Sequence, residues 1–455
     1  MDLKKYIGNK EFYKKTTKMA LPLMFQQVLS GAMGIVDTVM VSWIGMVSAV
    51  GTAAQVDVLS SMIGYGIIGG TSMFSAQFYG AKDYKNLKRT FGLSILLTTI
   101  NGLFWFIIAS FFGEFLMKFY INEPVIVENA VKYLNITKYY LILNGINFAF
   151  SATYRSMKKS SFTLKVGVAT MLLNTILNYV LIYGIGIFPK MGVEGAALGT
   201  VIATLVSVAI FASHAIYTKQ PFIGSFKETF HFEKEFVITI TKKIIPLMIN
   251  EGFFGLGSTL FIKAFGQLGK TSMDAYYVSL QISNLFMFAI YGYGSAVQSL
   301  LGNILGAKKI DQAIEESNYH FGLSFVMALV LMLFMALFSK PLVRLFNLSD
   351  PVTNSLAVSL LYVFTVKLSM RLYNFVIFSI LRSGGDANII QFLDSGIVWL
   401  VGLPLAFFSV NVLNLDNIVI VLLITQLEQL VRLIFGMKRI FTYIWAKDLT
   451  VLVSK

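Results

Sequence analysis

Long apolar segments alternate with short polar ones along the whole chain. An α-helix needs about 20 mostly apolar residues to cross the hydrocarbon core of a membrane. By this criterion the pattern predicts twelve transmembrane helices, at residues 16–43, 50–78, 91–117, 130–154, 163–188, 193–217, 239–268, 273–305, 321–346, 354–382, 389–411 and 417–444. The sequence therefore predicts an all-α integral membrane protein.

The second half of the chain repeats short motifs of the first half at an offset of 224 to 227 residues. The matching segments are KMALPLMFQQ (18–27) with KIIPLMINEG (243–252), Gly80-Ala81-Lys82 with Gly306-Ala307-Lys308, and Arg155-Ser156 with Arg382-Ser383. Because each half has an even number of helices, both halves have the same orientation in the membrane, which makes a parallel internal repeat of two six-helix bundles. We expect an N-terminal lobe at 1–217, a cytoplasmic linker at 218–242 and a C-terminal lobe at 243–455.

Composition agrees with a membrane protein, since 56% of the residues are hydrophobic and only 13% are charged, whereas about 25% are charged in soluble domains. Most of the 37 lysines and arginines fall on the side of the N-terminus. The positive-inside rule then predicts cytoplasmic N- and C-termini and explains the net charge of +14 without nucleic-acid binding. The abundance of Lys, Ile, Phe, Asn and Tyr is typical of an AT-rich bacterium, so we expect the plasma membrane of a bacterial cell.

Motifs of soluble enzymes are absent or out of context. Residues 64–69 match GxGxxG, but they lie inside an apolar segment without a preceding strand. Residues 266–271 imitate a phosphate loop, but Ala264 stands where its first glycine would be. The chain has no cysteine, and its three histidines are scattered. We therefore expect a non-enzymatic protein without a cofactor.

Ionisable groups inside a membrane cost about 2.5–3.5 kcal/mol each, so each one needs a partner or a function. Asp37 is the strongest candidate in the first half. Asn174 and Asn178 are spaced i,i+4, which places both amides on one face of the fifth helix, and Thr200 adds a hydroxyl. The set is interpreted either as a site where Asp37 takes up H+ or Na+ or as a structural polar cluster. If the ion is Na+, its ligands would be Asp37, Asn174 and Asn178.

The second half carries its own charged residues. Glu251 corresponds to Gln27 in the repeat and is a second candidate cation site, or else it forms a structural pair with Lys263 or with the tenth helix. Lys367 and Arg371 lie i,i+4 on the tenth helix and repel each other, so an acidic partner is expected. The candidates are Glu251 and Asp394, which would form a charge network.

Two further features bear on transport. Pro22 removes a backbone hydrogen bond in the first helix, so we expect a hinge there. Aromatic side chains of the second half are candidates for a cavity that binds a lipophilic cation by cation–π contact; they are Phe253, Phe254, Tyr276, Tyr277 and Tyr291.

Across nearly its whole length the chain resembles the multidrug and toxic compound extrusion (MATE) family. The resemblance rests on VDTVMVSWIG around Asp37, on LNTILNYVLIYG with GVEGAALGT, on PLMINEG, and on ILRSGGD at 380–386. It implies twelve helices in two bundles and export of amphipathic, mostly cationic compounds by alternating access, driven by inward H+ or Na+. It also implies that Asp37, Asn174, Asn178 and Thr200 form the ion site of the first lobe.

One departure from the family separates the two lobes. The NorM-like branch has an acidic residue on the tenth helix, where this chain has Arg371, although its seventh-helix acid is matched by Glu251. Since arginine cannot bind a cation, the resemblance implies coupling at Asp37 rather than in the second lobe.

A membrane protein with these residues could have one of three functions. The first is a monomeric antiporter for small amphipathic molecules. The second is a flippase for an anionic lipid-linked precursor, which Lys367 and Arg371 would suit. The third, a membrane-embedded enzyme, has no nucleophile or metal motif to support it.

Overall fold

The computed structural model describes residues 3–120, 123–346 and 350–452. Within these ranges twelve long helices are found, as predicted. The first six are α1 (Lys10–Ser42), α2 (Val47–Gly80), α3 (Tyr84–Tyr120), α4 (Pro124–Ser156), α5 (Ser160–Tyr183) and α6 (Val193–Tyr217). The second six are α7 (Lys234–Gly266), α8 (Lys270–Gly306), α9 (Ile310–Arg344), α10 (Pro351–Ser383), α11 (Ala387–Asn411) and α12 (Ile418–Phe441).

In the described part of the chain, ten of these helices are long and apolar enough to cross a membrane. The other two, α2 and α4, are of similar length but more polar. Serine, glycine and threonine are frequent in α2, whereas α4 carries the charged pair Glu128 and Lys132 near its start. Within their own half α2 contacts three long helices and α4 contacts four, so neighbouring helices cover much of their surface.

Helices often extend beyond the apolar segment that predicts them. The predicted helix at 91–117 begins at Tyr84, because its polar first two turns continue the same backbone hydrogen bonding. In the predicted linker 218–242, α7 already starts at Lys234. The connection between α6 and α7 is therefore shorter than predicted, and it contains a linker helix (Phe226–Phe230) that begins with a Ser225–Glu228 capping box.

The internal repeat is visible in the backbone itself. Lys82 and Lys308 follow α2 and α8 with φ of 59° and 61°, an unusual left-handed conformation for lysine. Lys158 and Gly385 follow α4 and α10 with φ of 62° and 78°. Each pair is related by the offset found in the sequence, so equivalent helices end in the same way in both halves.

Helices of each half contact one another, and the halves meet chiefly through α1, α2, α7 and α8, with smaller contacts from α4 and α10. The contacts between halves are reciprocal. A Cβ at Gly66 of α2 would lie 2.5 Å from Met248 Cα of α7, and a Cβ at Gly292 of α8 would lie 2.5 Å from Met24 Cα of α1. Small residues thus permit the close approach of helix backbones at equivalent places.

The two halves are in contact on one side of the molecule, which we call the linker side. It carries both described chain ends, the linker helix and the turns after α2, α4, α8 and α10. Nearer the opposite side, α1 and α8 are separated by a crevice of about 280 Å³. The fold is therefore closed on the linker side.

Candidate ion and substrate sites

Close packing of α5 against α6 creates the polar site of the first lobe. A Cβ at Gly195 would lie 2.6 Å from the carbonyl carbon of Leu181, and a Cβ at Gly199 would overlap Asn178 Oδ1. The small residues of GVEGAALGT therefore allow α6 to approach α5 until side chains on the two helices can form hydrogen bonds.

Helix α1 is held against α5 at two positions that flank Asp37. Near the linker side, Thr163 Oγ1 donates to Gln26 Oε1 at 2.9 Å, and at the other end the Tyr183 hydroxyl donates to Met40 O at 2.7 Å. These bonds fix the register in which Asp37 of α1 faces Asn178 of α5.

The four predicted site residues form one hydrogen-bonded chain. Asn178 Nδ2 donates to Asp37 Oδ1 at 2.8 Å and to Asn174 Oδ1 at 3.3 Å. Asn174 Nδ2 donates to Thr200 Oγ1 at 3.3 Å, and that hydroxyl donates to Ala196 O at 3.0 Å. Both asparagines are at most 1% exposed. The structure thus brings together all four residues, as the sequence predicts.

The charge of this chain of hydrogen bonds is not balanced by a basic residue. Asp37 is in no ion pair among the described residues, and its hydrogen-bond partner is a neutral amide. Asn178 Oδ1 is buried and accepts no hydrogen bond from the described part of the chain. Carboxylate, amide and hydroxyl oxygens are the donors that hard cations such as Na+ prefer. The donor set fits a proton or Na+ as the cargo, although its role in coupling stays a prediction.

The second lobe is organised around Asp394 instead. Its Oδ1 accepts from Arg371 Nη1 at 3.0 Å and from Arg432 Nη1 at 2.9 Å, while its Oδ2 accepts from Asn250 Nδ2 at 3.2 Å. Asp394 lies in a five-residue π-helical segment of α11 (Phe392–Gly396), and its side chain is 8% exposed. With two arginines and an amide on one carboxylate, this centre is an anion held by cations rather than a cation site.

Of the two acidic partners expected for Lys367 and Arg371, Asp394 does pair with Arg371, whereas the expected pairing of Glu251 with either residue is wrong. Glu251 Oε1 forms its ion pair with Arg382 Nη2 at 3.4 Å, while Arg371 pairs with Asp394. Arg382 is long enough to reach back from the last turn of α10 to the middle of α7. Glu251 thus has its own basic partner, and that partner lies on the tenth helix.

Lys367 has no ion pair among the described residues, and its Nζ lies 5.2 Å from the centre of the Phe364 ring. The nearby Glu428 lies 3.6 Å from Arg432 Nη2 instead. The charges of this region therefore comprise three basic and two acidic groups, all buried except the half-buried Lys367: Lys367, Arg371, Arg432, Asp394 and Glu428.

The five predicted cavity aromatics do not line one cavity. Tyr276 is 6% exposed and packs between Phe265 and Phe364 in the core of the second lobe, so its assignment to a cavity wall is wrong. Phe253 and Tyr277 are about half exposed and lie apart, near Trp399 and Tyr276 respectively.

Phe254 and Tyr291, in contrast, belong to one aromatic layer in the second lobe. The guanidinium carbon of Arg371 lies 5.2 Å from the Phe254 ring centre and 4.9 Å from that of Phe375. The Tyr291 and Phe375 rings are 4.6 Å apart. The layer covers an arginine that is already ion-paired, which lets that charge remain buried.

Sequence reasoning missed the crevice between the lobes. It is lined by neutral residues of α1 and α8: Gly31, Gly34, Thr38, Val39, Gln281, Asn284, Leu285 and Phe288. Its volume lies just below the roughly 300–1,000 Å³ of small-molecule sites. Thr38 follows Asp37 directly, so the crevice and the polar site lie on successive residues of α1.

Other site features were also missed. Arg432 has Glu428 four residues away as a local partner, which gives no hint of its contact with Asp394, and nothing in the sequence marks the amide of Asn250. Asp57 lies about three turns inside α2, with Ser61 Oγ at 3.3 Å as its hydrogen-bond donor.

Pro22 lies inside α1, which continues as one helix from Lys10 to Ser42. The position of the proline agrees with the expectation, but its action as a hinge stays a prediction.

Comparison with known proteins identifies the family. The MatE family model matches residues 22–180 and 246–408, which together are well over half of the chain. The chain belongs to the MATE family. The two matched segments start at Pro22 and Pro246, at the offset of the internal repeat. As a MATE protein with many apolar helices, the chain is a multi-pass membrane transporter that handles small molecules, and family and fold point away from an enzyme.

Curated relatives match most of the chain. The "Uncharacterized transporter YisQ" of Bacillus subtilis is 27% identical over 399 residues, which are 85% of this chain and 85% of the relative. The "Probable multidrug resistance protein NorM" of Thermotoga maritima is 26% identical over 425 residues, 89% of this chain and 87% of the relative. Among solved structures, the Vibrio cholerae MATE transporter VcmN matches with a TM-score of 0.87 at 16% identity, covering 96% of this chain and 98% of that one. The last match shows the fold, two six-helix bundles.

Proposed function

We propose that this protein is a secondary multidrug efflux antiporter that exports amphipathic, mostly cationic compounds in exchange for inward H+ or Na+. The observation that carries the proposal is the pairing of Asp37 with Asn178: a carboxylate within a membrane helix whose partner is a neutral amide, beside a buried amide oxygen without a donor. A carboxylate held in this way can gain and lose a cation without breaking an ion pair.

The amide of Asn178 suits both states of such a carboxylate. In the structure its NH2 group donates to Asp37, which stabilises a negative charge. When Asp37 carries a proton or Na+, an acceptor is needed instead. A half-turn of the amide about its terminal bond would direct the carbonyl oxygen toward Asp37 and satisfy the oxygen that now has no donor.

The same helix would couple the ion to the substrate. Asp37 is engaged with α5, whereas its neighbour Thr38 lines the crevice against α8. A change of occupancy at Asp37 that moves α1 therefore changes the crevice wall. Pro22, nearer the linker side, is the proposed hinge for that motion.

Orientation and location follow from charge and relatives. The linker side carries most of the basic residues, so we propose that it is cytoplasmic, with both termini inside. The relatives named above are bacterial, which supports the plasma membrane of a bacterium. The crevice would then open to the outside, and we propose that the protein acts as a monomer.

The test is dye efflux in everted membrane vesicles with imposed proton and sodium gradients applied separately. We expect one gradient to drive export in the wild type and Asp37→Asn to abolish it. Glu114→Gln is the matched control, because it also removes one negative charge but from an exposed pair with Lys118. Export that persists in Asp37→Asn would move the coupling site to Glu251.

The excess of basic groups in the second lobe favours a second candidate, a flippase for an anionic lipid-linked precursor. Lys367 is the best test residue because Arg371 is already engaged by Asp394. Lys367→Met should leave the export of cationic dyes intact under the first proposal. Loss of anionic lipid flipping in the same variant, together with no gradient-driven dye export in the wild type, would establish the second.

A further inference from the structure

The linker side is closed by two amide side chains at equivalent positions of the repeat. Gln77 of α2 and Asn303 of α8 are buried, at 0% and 3% exposure. Gln77 Nε2 donates to Ser383 O at 2.7 Å, and Asn303 Nδ2 donates to Ser156 O at 2.8 Å. Donors and acceptors are both related by the repeat, so one bond is the counterpart of the other.

Each bond joins one half to the other at a helix end. Ser156 and Ser383 are the last residues of α4 and α10. The final carbonyl groups of a helix have no partner within the helix. An amide from the opposite half satisfies each of them, so separation of the halves would leave two donors and two acceptors to find new partners.

Glycines next to the amides make this contact close. A Cβ at Gly80 would overlap Asn303 O, and a Cβ at Gly306 would overlap Gln77 O. The last turns of α2 and α8 therefore touch through their backbones, again reciprocally. No side chain lies between them to hold the halves apart.

The C-terminal segment strengthens one of the two bonds. Gln77 Nε2 also donates to Lys447 O at 3.0 Å, and Leu449 N donates to Gln77 Oε1 at 2.5 Å. Trp445 anchors this segment, since its side chain is fully buried. Gln77 thus makes three bonds across the halves, whereas Asn303 makes one.

We propose that Gln77 and Asn303 form a paired latch that holds the linker side closed and must open on both sides of the repeat axis in each transport cycle. The proposal rests on alternating access from the proposed function. The bonds of Gln77 and Asn303 then set the balance between the closed and open states, and Gln77 contributes more than Asn303.

The test is the distance between the halves, measured by pulsed electron spin resonance in lipid nanodiscs. The chain has no cysteine, so spin labels can be placed directly at Lys85→Cys and Asp311→Cys. These exposed residues lie at equivalent places in the first turns of α3 and α9. We expect one predominant distance in the background without further changes.

The latch variants keep the size of each side chain but remove its donor. A neutral hydrogen bond contributes about 1 kcal/mol, which corresponds to roughly fivefold in an equilibrium. Because the new carboxylate oxygen also faces the carbonyl that it can no longer donate to, we expect Asn303→Asp to raise the ratio of long to short distances at least about fivefold, and Gln77→Glu to raise it by more. The double variant should show the largest population at the long distance.

Gln298→Glu is the matched control. It makes the same chemical change on α8 at a buried residue whose Nε2 has no partner in the described part of the chain, so no shift is expected. An unchanged distance distribution in the double variant, or an equal shift in the control, would overturn the latch. If the acidic variants do not fold, Gln77→Met with Asn303→Leu removes the same donors, and an unchanged distribution there overturns it too.

The measurement needs neither substrate nor ion gradient. An unchanged distance with intact efflux would reject the latch but not the antiporter. A shifted distance in a protein that exports no dye would reject the antiporter but not the latch.

Discussion

The Asp394 centre allows a quantitative test of how the second lobe is stabilised. Asp394→Asn would remove the one negative charge that contacts both Arg371 and Arg432. The guanidinium of Arg432 is fully buried and that of Arg371 nearly so, with side-chain exposures of 0% and 4%. Neither can turn toward water, so the variant keeps both arginines, with Lys367 close by, and only Glu428 is left to balance these charges.

Removing one partner of a buried ion pair costs about 3–5 kcal/mol, chiefly because the remaining charge is left without compensation. We expect Asp394→Asn to lower the free energy of unfolding by that amount. Adding Arg371→Met removes one of the two cations and leaves Arg432 beside Glu428, 3.6 Å away. The double variant should therefore be more stable than Asp394→Asn alone, by about 0.5–3 kcal/mol.

Unfolding would be followed by SDS titration in mixed micelles, using the fluorescence of the four tryptophans. Glu128→Gln is the control, since it breaks an exposed ion pair with Lys132 and should cause no measurable change. A cost below about 1 kcal/mol for Asp394→Asn would refute the reasoning. So would a double variant that is less stable than the single one.

Three further predictions concern the packing of α3, the ion site of the first lobe and the cap of α10. Gly102→Ala should lower the unfolding midpoint, because a Cβ there would lie 2.7 Å from Ile142 Cα. Gly51→Ala is the control: a Cβ at Gly51 meets no atom within 4 Å, so this variant should be neutral or stabilising by up to about 1 kcal/mol. Asn178→Leu should abolish gradient-driven dye export in vesicles. Asn135→Leu, on the exposed face of α4, should leave export unchanged. Export that is retained in Asn178→Leu would show that Asn178 takes no part in ion coupling. A hydrogen bond from the Thr353 hydroxyl, together with backbone hydrogen bonds from Thr353 and Val352, holds the pKa of Asp350 below its usual value. This cap therefore stabilises α10 at neutral pH, and its contribution is lost as pH falls through the lowered pKa. Thermal unfolding of Asp350→Asn against wild type between pH 7 and pH 3 checks it, and a gap that does not narrow toward low pH would contradict it.

The helices and the repeat were predictable because their signals are local. Apolar length marks a membrane helix wherever it occurs, and Gly80-Ala81-Lys82 recurs as Gly306-Ala307-Lys308 with the same left-handed lysine. The π-helical segments of α11, Phe392–Gly396 and Val398–Gly402, were not predictable. A π segment depends on contacts with other helices rather than on a composition of its own.

The two lobes differ in how far their polar sites could be predicted. In the first lobe the i,i+4 spacing of Asn174 and Asn178 defines a face, and Asp37 was the acid best placed to meet it. In the second lobe Arg432 has an acceptable neighbour in Glu428 at i,i+4, which hides its contact with Asp394. Because Glu428 already accounts for the charge of Arg432, nothing in the sequence indicates that Arg432 also contacts Asp394.

The contacts between the lobes follow the geometry of a two-fold dimer. In such an interface residue i meets residue j and residue j meets residue i, as Gly66 with Met248 and Gly292 with Met24 do here. The two lobes would therefore associate through this interface, and the covalent connection between α6 and α7 is not needed to bring them together. Two polypeptides made separately, divided between the linker helix and α7, should associate side by side into the complete transporter, and a single-lobe precursor would pair with itself around the same axis.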